Sequence, residues 1–174
     1  LSTTDNIING NITINTGATL TISADTKLGG NLTNNGTFTH SANTLEFINS
    51  ATPSTILSAT DISFSTLKSS AAGKIIKFQK QIAGSPKFTI TGQFNFQGLA
   101  GNPINISSDT SGTEWHIHLN SSQSSVSNIR VTDSACAVGT NSISANASII
   151  DGGNNGSCWG IINVNAPPAV GESP

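Results

Sequence analysis

The residues best suited to hold a metal lie in the run Glu114-Trp115-His116-Ile117-His118. Side chains alternate sides along a strand, so Glu114, His116 and His118 would share one face at a spacing of roughly 7 Å. Imidazole and carboxylate donors suit zinc or copper. A single strand splays such donors, however, and a metal would need ligands from a second strand. The same spacing describes a solvent-facing row opposite an inward Trp115, Ile117 and Leu119, and that reading needs no further ligand. No metal site and no cofactor is expected.

The other ionisable residues offer less. Asp5, Asp25, Asp61, Asp109, Asp133 and Asp151 fall at irregular intervals, whereas calcium takes several oxygens close together. Asp151-Gly152-Gly153-Asn154-Asn155 reads as a turn with one carboxylate. Polysaccharide cleavage would need a base with cations, or two carboxylates roughly 5–10 Å apart. The one Arg is Arg130, and the six Lys fall between Lys27 and Lys87. Lys74, Lys77 and Lys80 read as a solvated edge. There is no Gly-x-Ser-x-Gly elbow, phosphate-binding loop or His-Glu-x-x-His run. A polysaccharide-degrading enzyme is thus the last reading in order, and no catalytic residue is assigned.

Cys136 and Cys158 are the only cysteines. Neither has a Cys or His nearby to complete a zinc set, so one disulfide is expected. It would close a loop of about 20 residues, worth about 3 kcal/mol in the chain-entropy model. That bond belongs to an oxidising, extracellular setting. A chain opening on Leu1 is expected either to follow a processing event, such as removal of a secretory leader, or to be cut from something longer. Asn-x-Ser/Thr occurs at Asn11, Asn31, Asn35, Asn105, Asn120, Asn146 and Asn155. Composition alone would give about five such triplets, so they permit glycosylation without arguing for it.

Ser (25), Thr (21), Asn (20) and Gly (17) make close to half of the 174 residues, while 9% are charged and the net charge is −2. Such a chain has no cationic surface for nucleic acid. No apolar run approaches the roughly 18 residues of a membrane span. Its 21 Ile and 7 Phe are too much apolar material for a disordered linker.

The apolar residues alternate with small polar ones: Ile12 and Ile14, Leu20 and Ile22, Leu45 and Phe47, Ile62 and Phe64, Phe88 and Ile90, Phe94 and Phe96, Ile104 and Ile106. A period of two marks strands with one buried face. No helical period is sustained, so the class is all-β. Gly10-Asn11-Ile12-Thr13 returns as Gly30-Asn31-Leu32-Thr33 after 20 residues. A lag of about 20–25 residues with two or three strands per period is the mark of a solenoid. Six coils are expected, near 7–28, 29–52, 53–80, 81–102, 103–125 and 126–150. A β-sandwich of short strands is the alternative. Stacked coils would set Asn, Ser and Thr in hydrogen-bonded columns.

Gly29-Gly30-Asn31-Leu32-Thr33-Asn34-Asn35-Gly36-Thr37-Phe38, followed by Thr44-Leu45-Glu46-Phe47, resembles large bacterial surface proteins built of parallel β-helix repeats. In those a G-N-L-x-N-x-G-T-F coil precedes a T-x-x-F coil. Val131-Thr132-Asp133-Ser134, Ile150–Asn155 and Trp159 are similar to the closing part of such repeats. The resemblance spans about residues 10–160. It implies a secreted, surface-attached, repetitive protein and transfers no catalytic residue. The solenoid is expected over 1–163, with 164–174, which hold three of the six prolines, as a tail or linker.

The functional expectation is a non-catalytic extracellular subunit or segment of a cell-surface fibre or adhesin stalk. Its partner would be itself, through open sheet ends that recruit further strands into filaments or salt-resistant multimers. The alternative is a carbohydrate- or ice-binding module with surface glycans as partner. Outward Thr13, Thr19, Thr21, Thr33, Thr37 and Thr39, with Thr89-Ile90-Thr91, would supply its flat face.

Overall fold

The structure, a computed structural model, describes residues 5–144 and 148–161. Among them are sixteen strands and no helix. The first coil carries β1 (Asn6–Ile8), β2 (Ile12–Ile14) and β3 (Thr19–Ile22). The second carries β4 (Thr26–Leu28), β5 (Leu32–Asn34) and β6 (Thr37–His40). β7 (Thr44–Phe47) and β8 (Ser54–Ser58) begin the third coil, and β9 (Ile62–Ser69) runs from it into the fourth, ahead of β10 (Ile75–Phe78). β11 (Lys87–Phe96) links the fourth to the fifth, ahead of β12 (Ile104–Ser108) and β13 (Trp115–Leu119). β14 (Ile129–Val131), β15 (Ser134–Cys136) and β16 (Ile149–Asp151) complete the set.

Three faces follow from the pairing. One stacks β2, β5, β8, β10, β12, β14 and β16 in unbroken chain order. Seven strands make six steps, so the solenoid has about six turns. The other two faces share the long strands. Leu45 of β7 pairs with Leu67 in the second half of β9. Ile62 in its first half pairs with Phe88 of β11, and Phe88 pairs in turn with Ile117 of β13. The register slips between Ile90 and Gln93, where β11 bends from one face to the next. β3 and β6 form the start of the third face. Every ladder is parallel. A sandwich, built on antiparallel ladders, is thereby excluded.

The coil length is less regular than the sequence suggests. Ile12 pairs with Leu32, 20 residues on, but Ile75 pairs with Asn105, 30 residues on. The expected boundaries therefore slip in the middle: 53–80 contains both β8 and β10, which belong to successive coils. Turns at Ile82–Ser85 and Leu99–Asn102 add the extra residues. They lie outside the stack and leave its register intact.

Inside runs one continuous apolar column. Leu32, Ile56 and Phe78 stack on one face, and Leu45, Leu67 and Phe94 on another. All six are fully buried. Aromatic rings fill the wider centre, where Phe78 stacks on Trp115 at 4.1 Å and Trp115 meets Trp159 edge-on.

At each corner the backbone leaves the ladder and would strand N–H groups. Polar side chains from the neighbouring coil receive them. Asn11 Oδ1 accepts from Asn31 N–H at 2.8 Å, and Asn31 Oδ1 accepts from Thr55 N–H at 2.8 Å. Asp25 accepts likewise from Thr44, Asp61 from Lys87, and Gln123 from Phe94. These columns give Asn, Asp and Gln side chains a structural use at the corners.

Candidate functional site

His116 and His118 do share the outer side of β13, both half-buried. In register beside them stand Lys87 and Thr89 on one side, and next to His116 on the other is Ala135. The two flanking strands therefore contribute a cation and a hydroxyl from β11 and a methyl from β15 instead of further ligands. Burial lowers the His116 pKa, against the weaker opposing pull of Glu114. Among the described residues no three His, Cys, Asp or Glu gather to hold a metal.

Asp109 and Asp133, far apart in sequence, line one open groove of about 290 Å³ with Lys77, Ser107, Ser111 and Thr132. Both carboxylates are already engaged. Asp109 accepts the Lys80 N–H, and Asp133 accepts the Gly112 N–H and the Asn154 side-chain amide. Their role is corner stitching. Arg130 is exposed on β14, in register between Asn105 and Ile150. Three lysines pair at the surface: Lys27 with Asp5 at 2.7 Å, Lys68 with Glu46 at 3.3 Å, and Lys87 with Asp61 at 3.7 Å.

Lys74 corrects the expectation of a solvated edge. It is fully buried. Its Nζ donates to Asn49 O at 2.6 Å, Thr52 O at 2.8 Å and Ser54 Oγ at 2.7 Å. Burial lowers its pKa to about 8. The physical reason lies in strand parity, since Lys74 is in phase with the inward Ile76 and Phe78. The ammonium pins the 49–54 segment to the corner before β10. His40 is a second titratable group that sequence reasoning missed, half-buried at the end of β6. Its Nδ1 accepts the Ser65 N–H at 2.7 Å, its ring stacks on Phe38, and burial lowers its pKa.

Cys136 and Cys158 form the expected disulfide, tying β15 to the segment before Trp159. The sequons differ in access. Asn11, Asn35 and Asn120 are exposed, whereas Asn31, Asn105 and Asn155 are half-buried. Asn155 Nδ2 donates to Val131 O and Asp151 Oδ1, so a glycan there would displace a structural contact. Asn146 lies outside the described residues, as do 164–174.

Thr19, Thr21, Thr37 and Thr39 all point outward and are exposed. Thr19 stands beside Thr37 and Thr21 beside Thr39, giving a block of four. Further along, the rank is broken: Thr89 stands between Ser63 and His118, and Lys87 beside His116, while Thr91 is exposed where β11 bends. Thr13 and Thr33 pair on a different face.

The two ends of the stack differ. At the N-terminal end, two open hollows of about 340 and 420 Å³ share Ile8, Ile12 and Leu20 in their walls. These three side chains are only half-buried, so among the described residues the apolar column is less covered there. At the C-terminal end, Ile143, Ile149 and Trp159 retain exposures of only 2%, 3% and 0%.

The fold and its corners define a parallel β-solenoid of about six turns. No family model, curated protein or solved structure matches this chain.

Proposed function

We propose that the protein is a non-catalytic structural segment of an extracellular fibre or adhesin stalk, associating through sheet ends. The observation that carries this reading is how the chemically able side chains are used. Asp25, Asp61, Asp109, Asp133, His40 and Gln123 each accept a backbone N–H from a neighbouring coil. Such a group holds a corner and has little freedom to change partner during a reaction. The disulfide supports an oxidising, extracellular setting, and the quoted glycine-asparagine motifs support kinship with bacterial surface repeats. Negative-stain imaging and light scattering at high salt test it. End-joined particles that persist at high salt are expected, because main-chain pairing carries little salt dependence. Compact single particles at every concentration would overturn it.

A second reading, a carbohydrate- or ice-binding module, is favoured by one feature: the exposed, in-register block of Thr19, Thr21, Thr37 and Thr39. A signal on a glycan array or in an ice-recrystallisation assay that is lost in Thr19→Val/Thr39→Val would establish it.

A further inference from the structure

The groove between Asp109 and Asp133 is a consequence of unequal corners. Residues 109–114 join β12 to β13, and they include a turn in which the Thr113 N–H donates to Thr110 O at 3.1 Å. In the following coil only Thr132 and Asp133 join β14 to β15. The long corner therefore stands out beside the short one, and the step between them is the open groove of about 290 Å³. Its floor is a row across three coils. Lys77 lies beside Ser107, and Thr132 follows Val131, the partner of Ile106. Neither the first nor the last rung supplies any of its lining.

Every lining side chain is polar. Stitching the corners fixes the two carboxylates without using them up. Asp109 Oδ1 accepts from the Lys80 N–H at 2.9 Å and from the Thr110 hydroxyl at 3.1 Å, and no described residue bonds Oδ2. Asp133 is only 5% exposed and is gripped by the Gly112 N–H and the Asn154 amide. A carboxylate offers about four acceptor positions, so both keep some free. Lys77 Nζ has neither a hydrogen bond nor an ion pair among the described residues. The groove thus combines fixed acceptors with an uncommitted donor. A hydroxyl donates and accepts at once, so it satisfies both. An anion would meet two carboxylates against one ammonium, and a bare cation would meet that ammonium. An apolar ligand would strand the polar lining. We infer that this groove binds a ring of an uncharged sugar. Its volume lies at the lower limit of ligand pockets, roughly 300–1,000 Å³, which suits one ring in weak contact. The groove is separate from the threonine block and needs no second copy, so it stands or falls apart from both readings above.

Amide chemical shifts of the full chain, titrated separately with glucose, galactose, mannose, glucuronate and calcium chloride, test this. At least one neutral hexose should move the amides of 107–112 and 132–133 saturably, while glucuronate and calcium leave them in place. Asp109→Asn keeps an oxygen for the Lys80 N–H but turns the free acceptor into a donor. Lys77→Met keeps the stem without the ammonium. Each should weaken the hexose binding about tenfold, and Thr19→Val/Thr39→Val should leave it unchanged. Should Asp109→Asn lose its β-sheet spectrum, Lys77→Met alone decides. No saturable shift with any of the three hexoses overturns the site. So does an equal response to glucuronate, a calcium response at the same amides, or shifts centred elsewhere on the molecule. Binding that survives either folded variant, or is lost in the threonine variant, overturns it as well. None of these outcomes bears on end association, which particle size reads independently.

Discussion

At the scale of single residues, buried Lys74 and half-buried His40 make the stability of the stack depend on pH in two separate windows. Lys74 holds its proton less tightly when folded, at about 8, than when free, at 10.5. Between those values the unfolded chain carries a proton that the folded chain has shed, so stability rises with pH across that window. The gain is on the order of 1–3 kcal/mol, limited by the three hydrogen bonds that favour the ammonium. Urea midpoints measured at pH 8 and pH 10 should show the rise in the native protein and none in Lys74→Met. At pH 7 that variant strands the Asn49 and Thr52 carbonyls and should lose about 2 kcal/mol. His40 works from the acid side. Its Nδ1 can accept the Ser65 N–H only while neutral, and burial holds its pKa below the free value of 6.5. The stability it contributes is complete above 6.5 and falls away as the pH drops through the lower folded value. Melting temperatures compared at pH 7 and pH 5 should fall for the native protein and fall less for His40→Gln, whose side-chain oxygen can still accept. An equal fall in both would remove His40 from the account. Strand parity could have revealed both residues, since Lys74 is in phase with Ile76 and His40 with Phe38. The bias that a charged or imidazole side chain belongs outside obscured them.

At the scale of the element, the repeat first visible as Gly10-Asn11-Ile12-Thr13 and Gly30-Asn31-Leu32-Thr33 is a physical column. Ile12 lies beside Leu32 and Asn11 accepts the Asn31 N–H. The period-two alternation and the 20-residue lag were both legible because each coil places like residues above like. The uneven middle coils were not, because the turns at 82–85 and 99–102 project from the stack and leave no repeating signal. Nor did alternation reveal that β9 and β11 each serve two faces, since a bend at a bulge preserves the apolar spacing on either side. The disulfide was legible from two cysteines alone, whereas the groove joining Asp109 to Asp133 depended on coil lengths that the sequence leaves open. Gly36 shows how tightly the column is set: a Cβ there would strike the carbonyl oxygens of Ala18 and Asn15. Gly36→Ala must therefore push β6 away from β3. A loss of about 2 kcal/mol is expected from chemical denaturation, with exchange of the β3 and β6 amides accelerated first. The Cys136–Cys158 bond acts at the other end. Thiol titration of the denatured, unreduced protein should find none free, and Cys136→Ser/Cys158→Ser should lose about 3 kcal/mol. Free thiols in the native protein would remove both the bond and its extracellular implication.

At the scale of the whole molecule, a solenoid is nearly one-dimensional, since each coil touches only its neighbours and stability is a sum of coil and interface terms. Those terms are unequal along this chain. The first two coils bury Ile14, Ile22, Leu28 and Leu32 but leave Ile8, Ile12, Leu20 and Phe38 half-buried. The middle coils enclose Phe64, Phe78, Phe88, Phe94, Phe96 and Trp115, all fully buried, and large buried rings contribute more apolar area per residue. The last coils add Trp159, fully buried, and the disulfide. Unravelling should therefore start at the N-terminal end and proceed coil by coil, with the aromatic centre last to open. Native-state hydrogen exchange of the dilute protein is the direct measurement. Amides of β1 to β6 should exchange through local opening at a free energy below the global value, while those of β10 to β13 exchange only with global unfolding. Acid should widen the difference, because protonating His40 weakens the seam between β6 and β9. Uniform protection along the chain would mean that the coils are coupled too strongly for the open end to matter. In that case the exposed apolar column would be a local feature of the first rung, without consequence for how the molecule comes apart.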